Sequence, residues 1–232
     1  MSVVALVLAA GRGVRLGRTA PKALVRVAGR SMLHWSAAAL GRSPEVDAVL
    51  AVLPPGCAEA FESIRSAWTG SARLLEPATG GETRQQSVAL GLEAARAQLP
   101  DAGFVLVHDA ARCLVEPGDA QRVLEAARPT GAAVPVIPVA DTVKIVDGER
   151  VSSTPDRSTL VLAQTPQAFR VEILHRALEQ AERDAVRGSD CASLVERLGV
   201  EVRTCGGRVE NLKVTHPQDL ELAEARLKGR AP

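Results

Sequence analysis

A glycine-rich loop with two basic residues is the first stretch of this sequence that could perform chemistry. It runs Leu8-Ala-Ala-Gly-Arg-Gly-Val-Arg-Leu-Gly17 and is followed by Ala20-Pro21-Lys22. Small residues allow backbone N–H groups to approach a phosphate chain closely, and Arg15 and Lys22 add positive charge beside it. The G-x-G-x3-G spacing differs by one residue from the dinucleotide fingerprint, and the loop lacks the G-x4-GK[ST] of a P-loop. We interpret it as a phosphate-binding loop; a structural glycine turn is the alternative.

Lysine is rare in this chain, with only four lysines among 28 basic residues. A lysine can mark a position that needs a compact ammonium group rather than the planar fork of arginine. Lys22 and Lys213 both lie within motifs, and we therefore single them out as positions that need a compact ammonium group.

Five further motifs follow the loop in chain order. They are Gly80-Gly-x-x-Arg84-x-x-Ser87-Val88, Val107-His-Asp-Ala-Ala-Arg112, Asp141-Thr-Val-Lys144, Gln164-Thr-Pro-Gln-x-Phe169 and Asn211-x-Lys-Val-Thr-x-Pro-x-Asp-Leu220. Asp109 lies two residues after the apolar run that ends at Val107, which places it at the carboxyl end of a predicted strand. Ligands bind at such strand ends in α/β sheets.

Alternating apolar runs and helical patterns must position these motifs. Val3 to Leu8 is continuously apolar and β-branched, which is typical of a strand buried on both faces. Similar runs and the intervening helical patterns predict strands at 46–52, 104–107 and 132–136, and helices at 32–40, capped by Ser31, and from 83 or 84 to 97. The alternation predicts an α/β fold: a doubly wound, Rossmann-like, mostly parallel sheet flanked by helices, in a single domain over residues 1–232.

The pattern changes at Pro138. Short β-like runs at 142–146 and 150–153 flank Asp147-Gly148, a hairpin turn signal, so residues 138–157 are predicted to form an inserted β-arm. Helices are predicted at 171–185, 191–198 and 217–227, and a strand at 200–204.

Composition excludes several classes of partner. The net charge is +1 and the chain has three Phe, two Trp and no Tyr, so neither nucleic-acid binding nor base stacking is expected. The early apolar run is far shorter than the ~20 residues of a membrane span, so we expect no membrane partner and a cytoplasmic location. The four cysteines contain no CxxC pair, which argues against a zinc site or a disulfide framework.

Together, the six motifs resemble those of the 2-C-methyl-D-erythritol 4-phosphate cytidylyltransferases, the enzymes of the third step of the non-mevalonate isoprenoid pathway. The match extends from Val3 to about Leu227. The resemblance implies transfer of CMP from CTP to methylerythritol phosphate, giving 4-diphosphocytidyl-2-C-methyl-D-erythritol and pyrophosphate, by in-line attack of the acceptor phosphate on the α-phosphorus. It also implies a homodimer, in which we expect residues 138–157 to form the dimerisation element.

The same resemblance assigns roles to individual residues. It implies that Arg15, Lys22, Arg157 and Lys213 are catalytic, and that Mg²⁺ or another divalent cation is held mainly by the CTP phosphates, with Asp109 as a possible ligand. The implied nucleotide-binding residues are Leu8, Ala9, Ala10, Gly11, Gly13, Gly81, Ser87, Asp109 and Ala110. The implied acceptor-binding residues are Asp109, Arg112, Thr142, Arg157, Thr165, Ser189 and Lys213.

Two motifs depart from the family pattern. Cys113 replaces the usual proline after H-D-A-A-R, and Ser189-Asp190-Cys191-Ala192 replaces T-D-[DE]-A. Ser189 keeps a hydroxyl for a hydrogen bond, and we interpret Cys191 as a small packing residue rather than a reactive thiol.

Three residues of these motifs have two possible interpretations. Arg84 and Arg112 either pair with acidic residues or contact substrate. His108 either acts in catalysis or is a partly buried, hydrogen-bonded histidine; we favour the second, since a phosphate nucleophile needs no proton shuttle.

Other functions are also compatible with parts of the pattern. The alternatives within the same chemistry are a cytidylyltransferase for ribitol or another polyol phosphate and a sugar 1-phosphate nucleotidyltransferase. A nucleotide-dependent oxidoreductase is disfavoured by the glycine spacing. A catalytically silent protein is disfavoured by the presence of Arg15, Lys22 and Lys213.

Overall fold

Strands and helices alternate along residues 1–10 and 21–230, the part of the chain that the computed structural model describes. The strands are β1 (Ser2–Leu8), β2 (Arg26–Val27), β3 (Arg30–Ser31), β4 (Ala48–Leu53), β5 (Arg73–Leu74), β6 (Ala78–Thr79), β7 (Ala102–Asp109), β8 (Ala132–Pro138), β9 (Ile145–Asp147), β10 (Arg150–Ser153), β11 (Val161–Ala163), β12 (Gln167–Arg170) and β13 (Arg203–Gly206). The helices are α1 (Met32–Gly41), α2 (Ala58–Arg65), α3 (Arg84–Gln98), α4 (Pro117–Ala127), α5 (Val171–Arg183), α6 (Cys191–Glu196) and α7 (Pro217–Leu227).

The central element is a nine-stranded sheet. Its order is β11-β8-β12-β7-β1-β4-β5, with β13 also paired to β8 and β6 also paired to β4. Strand β1 runs parallel to both β4 and β7, whereas β12 runs antiparallel between β7 and β8. The predicted mostly parallel α/β sheet is confirmed. The antiparallel strand β12 was not predicted, because its four residues are too few to show a periodicity.

Helices cover both faces of this sheet, because successive side chains of a strand point to opposite faces. Val3, Ala5 and Val7 of β1 belong to a buried cluster that includes residues of α1, α2 and α4. Val4 and Leu6 belong to the other buried cluster, which includes residues of α3, α5 and α6. Burial on both faces explains why β1 is continuously apolar.

Side-chain caps set where α1 and α3 begin. The Ser31 hydroxyl accepts a hydrogen bond from the His34 amide at 3.1 Å, as predicted. The Thr83 hydroxyl accepts from the Gln86 amide at 3.1 Å, and the Gln86 side chain accepts from the Thr83 amide at 3.2 Å. This reciprocal pair is a capping box, and it begins α3 directly after the two glycines of its motif.

Some predicted boundaries were wrong. Helix α5 ends at Arg183 rather than at residue 185, and Ala185 has a positive φ of 53° that no α-helix contains. Helix α6 ends at Glu196, and Gly199 turns the chain with a φ of 73°. The strand predicted at 200–204 therefore begins only at Arg203, where it pairs with β8. Helices α2 and α4 were not predicted.

The arm forms the predicted hairpin. Strands β9 and β10 pair antiparallel as a two-stranded sheet of their own, and Gly148 in the turn has a φ of 56°. The first arm strand is shorter than predicted and begins at Ile145, not at residue 142. No helix in residues 1–10 and 21–230 has the length and apolar character that crossing a membrane requires.

Candidate active site

Asp109 is the centre of a cluster of charged side chains at the carboxyl end of β7. One carboxylate oxygen accepts a hydrogen bond from Arg84 Nε at 3.0 Å, and the other accepts from Lys213 Nζ at 2.6 Å. Arg84 is the first residue of α3, and Lys213 lies in the loop between β13 and α7. Three distant segments therefore meet at the end of one strand.

The two cations determine the ionisation of Asp109. Burial by itself would raise the pKa of this carboxyl group, but the charges of Arg84 and Lys213 outweigh it and hold the pKa far below its usual range. Asp109 is therefore ionised throughout the physiological pH range. Because two cations share one carboxylate, the cluster keeps a net positive charge that can attract a phosphate group.

Thr165 joins Asp109 to His108. Its hydroxyl oxygen accepts a hydrogen bond from the Asp109 amide at 3.1 Å and lies 3.1 Å from His108 Nδ1. His108 is fully buried, and burial lowers its pKa to about 4. The imidazole is therefore neutral near pH 7. The ring of His108 is hydrogen-bonded, as predicted, and its burial is complete rather than partial.

Arg84 and Arg112 have different partners. Arg84 pairs with an acid, Asp109, as one of the two interpretations predicted. The Arg112 guanidinium donates instead to the main-chain carbonyls of Asn211 at 2.8 Å and Ala163 at 3.3 Å. Arg112 therefore does not form the ion pair that one of its two interpretations predicted. Its contacts tie the Lys213 loop to the sheet instead.

The two cysteines that depart from the family pattern are buried. Cys113 is buried in an apolar cluster that includes residues of α7, and burial raises its pKa to about 12. Cys191 is also buried, as predicted for a packing residue, and burial raises its pKa as well. Its sulfur also lies 3.5 Å from Arg84 Nη1, a contact that the sequence did not indicate. Both thiols are therefore protonated and unreactive at neutral pH.

The predicted nucleotide-binding residues on the described part of the chain lie at the carboxyl ends of β1 and β7 and at the start of α3. The Ala9 amide donates to the Val52 carbonyl at 2.8 Å, and the Ala110 amide donates to the Leu8 carbonyl at 3.0 Å. The Ser87 hydroxyl accepts a hydrogen bond from the Gly81 amide at 3.2 Å.

Gly80 is required for this close packing. A Cβ atom at Gly80 would lie 2.4 Å from the Cβ of Ala10, so only glycine fits between that residue and Ser87. Gly11, Gly13 and Arg15 lie outside the described residues.

Lys22 lies in a short 3-10 turn directly after that loop. Its charge acts on Asp219, at the start of α7. Burial alone would raise the pKa of Asp219, but the backbone N–H groups of His216 and Thr215 lower it, and the charge of Lys22 adds to that lowering. Lys22 and the segment after Lys213 are therefore neighbours.

The predicted acceptor-binding residues fall into two groups. Asp109, Thr165 and Lys213 are brought together, with the Thr165 side chain buried. Thr142, Arg157 and Ser189 are exposed, and Arg157 donates a hydrogen bond to the Ala140 carbonyl at the base of the arm at 2.7 Å. The described contacts therefore place Arg157 with the arm.

A magnesium ion fits this site only in a restricted way. In the part of the chain that the structure describes, no three His, Cys, Asp or Glu side chains are grouped so that they could hold a metal ion. Asp109 is a single carboxylate, and each of its oxygens already accepts a hydrogen bond from a cation. The donor set therefore fits an ion carried mainly by nucleotide phosphates, since protein-bound Mg²⁺ often uses only one or two carboxylates.

Two buried amides belong to the site although the sequence analysis gave them no role. Gln164 is 3% exposed and Asn211 is 2% exposed, and both hydrogen-bond to the main chain around the Lys213 loop. Each lies inside a quoted motif, and a polar amide beside buried strands was the signal that could have identified them.

Comparison with protein families and with known proteins identifies the enzymes to which this chain is similar. The family model described as 2-C-methyl-D-erythritol 4-phosphate cytidylyltransferase (IspD) matches residues 3–229. An enzyme of that name from Thermus thermophilus is 47% identical over 225 residues, which cover 97% of each chain. A bifunctional IspD/IspF enzyme from Nitrobacter hamburgensis is 44% identical over 96% of this chain, and this chain spans about half of that enzyme, 54% of its length.

Solved structures of similar proteins agree with the fold. The crystal structure of the Thermus thermophilus 2-C-methyl-D-erythritol 4-phosphate cytidylyltransferase has a TM-score of 0.75 at 41% identity and covers 95% of this chain and 96% of its own. The 4-diphosphocytidyl-2C-methyl-D-erythritol synthase from Anaerococcus prevotii has a TM-score of 0.82 at 27% identity, with coverage of 97% and 98%.

Proposed function

Because this chain belongs to the 2-C-methyl-D-erythritol 4-phosphate cytidylyltransferase family, we propose that it transfers CMP from CTP to 2-C-methyl-D-erythritol 4-phosphate. The products are 4-diphosphocytidyl-2-C-methyl-D-erythritol and pyrophosphate. The observation that carries this proposal is the convergence of Arg84 and Lys213 on Asp109 at the end of β7, inside the motifs of this family.

The chemistry requires charge neutralisation more than proton transfer. The acceptor phosphate arrives as an anion, attacks the α-phosphorus in line and displaces pyrophosphate, so catalysis reduces to positioning and electrostatic stabilisation. The neutral, buried His108 agrees with a reaction that needs no general base. In this scheme Arg15 and Lys22 stabilise the triphosphate, and Lys213 and Arg157 orient the acceptor phosphate. A Mg²⁺ ion held mainly by the CTP phosphates, with Asp109 as the candidate protein ligand, would supply further positive charge.

The remaining predicted residues complete the two substrate sites. Ala10, Gly81 and Ser87 surround the cytosine, and Ala110 and Asp109 lie on the ribose side. Thr142, Thr165, Ser189 and Arg112 contribute to the acceptor site. A cytoplasmic location stays a prediction.

The active assembly is proposed to be a homodimer joined through the arm. Ile145, Val146 and Val151 are 52%, 60% and 58% exposed, although they are apolar. A two-stranded hairpin is only marginally stable in water by itself, so an apolar hairpin favours burial against a second surface. Packing of the arm against a second copy of the chain would bring Arg157 close to the partner's site.

A pyrophosphate-release assay tests the proposed reaction. The protein is incubated with Mg²⁺, each of the four nucleoside triphosphates and, in turn, methylerythritol phosphate, ribitol phosphate and a sugar 1-phosphate. We expect release only with CTP and methylerythritol phosphate. Faster release with another acceptor would favour a related transferase, and no release with any pair would contradict the proposal.

A further inference from the structure

Gln164 is bonded to the main chain of the loop that carries Lys213. Its Nε2 donates to the Arg208 carbonyl at 2.8 Å, and its Oε1 accepts from the Arg208 amide at 3.1 Å. The side chain is 3% exposed. The side-chain amide of Gln164 therefore bonds both the N–H and the carbonyl group of Arg208, as a paired residue on a neighbouring β-strand would.

The chain also approaches Gln164 closely at the preceding position, which is a glycine. A Cβ atom at Gly207 would lie 2.7 Å from Gln164 Oε1 and 3.0 Å from the Val136 carbonyl oxygen. The Gly207 amide also donates to that carbonyl at 2.8 Å. The loop is thus pressed against the sheet at the residues where it leaves β13.

The far end of the loop is held on the same strip of the sheet. Asn211 Nδ2 donates to the Thr165 carbonyl at 2.9 Å, and the Val214 amide donates to the Ala111 carbonyl at 2.8 Å. Lys213 lies between these anchors, with its Nζ 2.6 Å from Asp109. A shift of the backbone at 208–214 would move the base of this side chain relative to that carboxylate.

We propose that Gln164 is a positioning residue for Lys213: its amide fixes the 207–213 loop, and the loop sets the place of the ammonium group against Asp109 and the acceptor phosphate. The expected effect on acceptor kinetics rests on the proposed function, whereas the role of Gln164 in fixing the loop does not. Gln164 touches no reacting atom in this scheme and acts only through the loop.

Gln167 provides a matched control. It is the same residue type, three positions later, and is 1% exposed, but its Nε2 donates to Asp190 at 2.6 Å, at the start of α6. Removing its amide therefore leaves a similar buried defect without touching the Lys213 loop. Methionine matches the length of glutamine and lacks the amide, so Gln164→Met and Gln167→Met form the pair.

The first measurement is hydrogen–deuterium exchange of the chain without substrates. Gln164→Met removes both hydrogen bonds to the main chain of Arg208, so exchange in residues 206–214 is expected to become faster by about tenfold or more, whereas Gln167→Met should leave it unchanged. Unchanged exchange in a folded Gln164→Met protein would overturn the proposal. If that protein does not fold, Gln164→Asn, which keeps a polar but shorter side chain, takes its place.

The second measurement is a double-mutant cycle with Lys213→Ala. A small displacement of a positioned group can cost as much as 10²-fold, so we expect Gln164→Met to lower kcat/KM for methylerythritol phosphate by about 10- to 100-fold, with little change in KM for CTP. In the Lys213→Ala background the same substitution should cost less than about threefold, whereas the loss from Gln167→Met should persist.

If kcat/KM of the double variant falls by the product of the losses in Gln164→Met and Lys213→Ala, the positioning role is overturned. A wild-type protein that releases no pyrophosphate would contradict the proposed function instead. The exchange experiment would still decide whether Gln164 holds the loop.

Discussion

The Asp109 cluster and the arm differ in how much of their hydrogen bonding and burial a single chain provides. In the cluster, both oxygens of a 9% exposed aspartate accept hydrogen bonds from cations of the same chain. In the arm, three apolar side chains of the hairpin are more than half exposed. A buried charge without partners is costly, so the cluster has to be complete within one chain, whereas apolar surface can wait for a partner.

This difference divides the predicted acceptor site. Lys213 and Thr165 belong to the cluster, and Thr142 and Arg157 belong to the arm or its base. If the arm binds a second copy, each acceptor site would combine the Asp109 cluster of one protomer with the arm of its partner. The following experiments test that division, beginning with the substitution that should cost most activity.

Lys22→Ala should lower kcat by about 10²- to 10³-fold, because the ammonium group neutralises charge that develops on the departing pyrophosphate. The KM for the acceptor should change much less. Steady-state kinetics of pyrophosphate release measures both, with the exposed Lys228→Ala as the control. A kcat within threefold of wild type would remove Lys22 from the catalytic group.

Lys213→Ala and Arg157→Ala should chiefly weaken the handling of methylerythritol phosphate, by roughly 10- to 100-fold in kcat/KM, because each loses a charged contact to its phosphate. Calorimetry should show nearly unchanged CTP binding in both variants. A loss of CTP affinity above tenfold in either variant would contradict the division between nucleotide and acceptor residues.

Mixed dimers test whether the arm serves the neighbouring site. Lys22→Ala and Arg157→Ala chains are unfolded together and refolded. If Arg157 acts on its partner's site, each hybrid has one site with both residues and one with neither. Random pairing makes about half of the dimers hybrids, so activity should recover to roughly a quarter of wild type.

Mixtures no more active than the separate variants, despite confirmed exchange of subunits, would place Arg157 in its own chain's site. The control for this experiment is a mixture of wild-type and Lys228→Ala chains taken through the same treatment, which should keep full activity.

The smallest effect is on stability and comes from His108. Its pKa is about 4 in the folded chain because of burial, against 6.5 for an ordinary histidine. Between these values the unfolded chain binds a proton that the native chain excludes, so stability falls as the pH drops from 6.5 toward 4. His108→Asn removes this titration, and its free energy of unfolding should decline less over that range in urea titrations.

His34, whose pKa is also about 4, is present in both proteins and cancels in this comparison. Equal declines with pH in wild type and variant would show that His108 is not the group that titrates.

The sequence by itself determined the framework of this protein. The apolar run of β1, the Ser31 and Thr83 caps and the glycine in the arm turn are local signals, and the structure follows them to within a few residues. Local signals suffice here because caps and turns depend on hydrogen bonds and backbone angles within a few positions. The six ordered motifs also identified the family.

Only the tertiary structure decided which residues meet. Arg84 and Asp109 are 25 positions apart, and Asp109 and Lys213 are 104 positions apart. Nothing in the local pattern indicated that Arg112 would bind carbonyl groups, that Cys191 would touch Arg84, or that Gln164 would hold the main chain at Arg208. These pairings depend on the order of strands in the sheet, which brings distant loops to one edge, and on the strong preference of buried polar groups for hydrogen-bond partners.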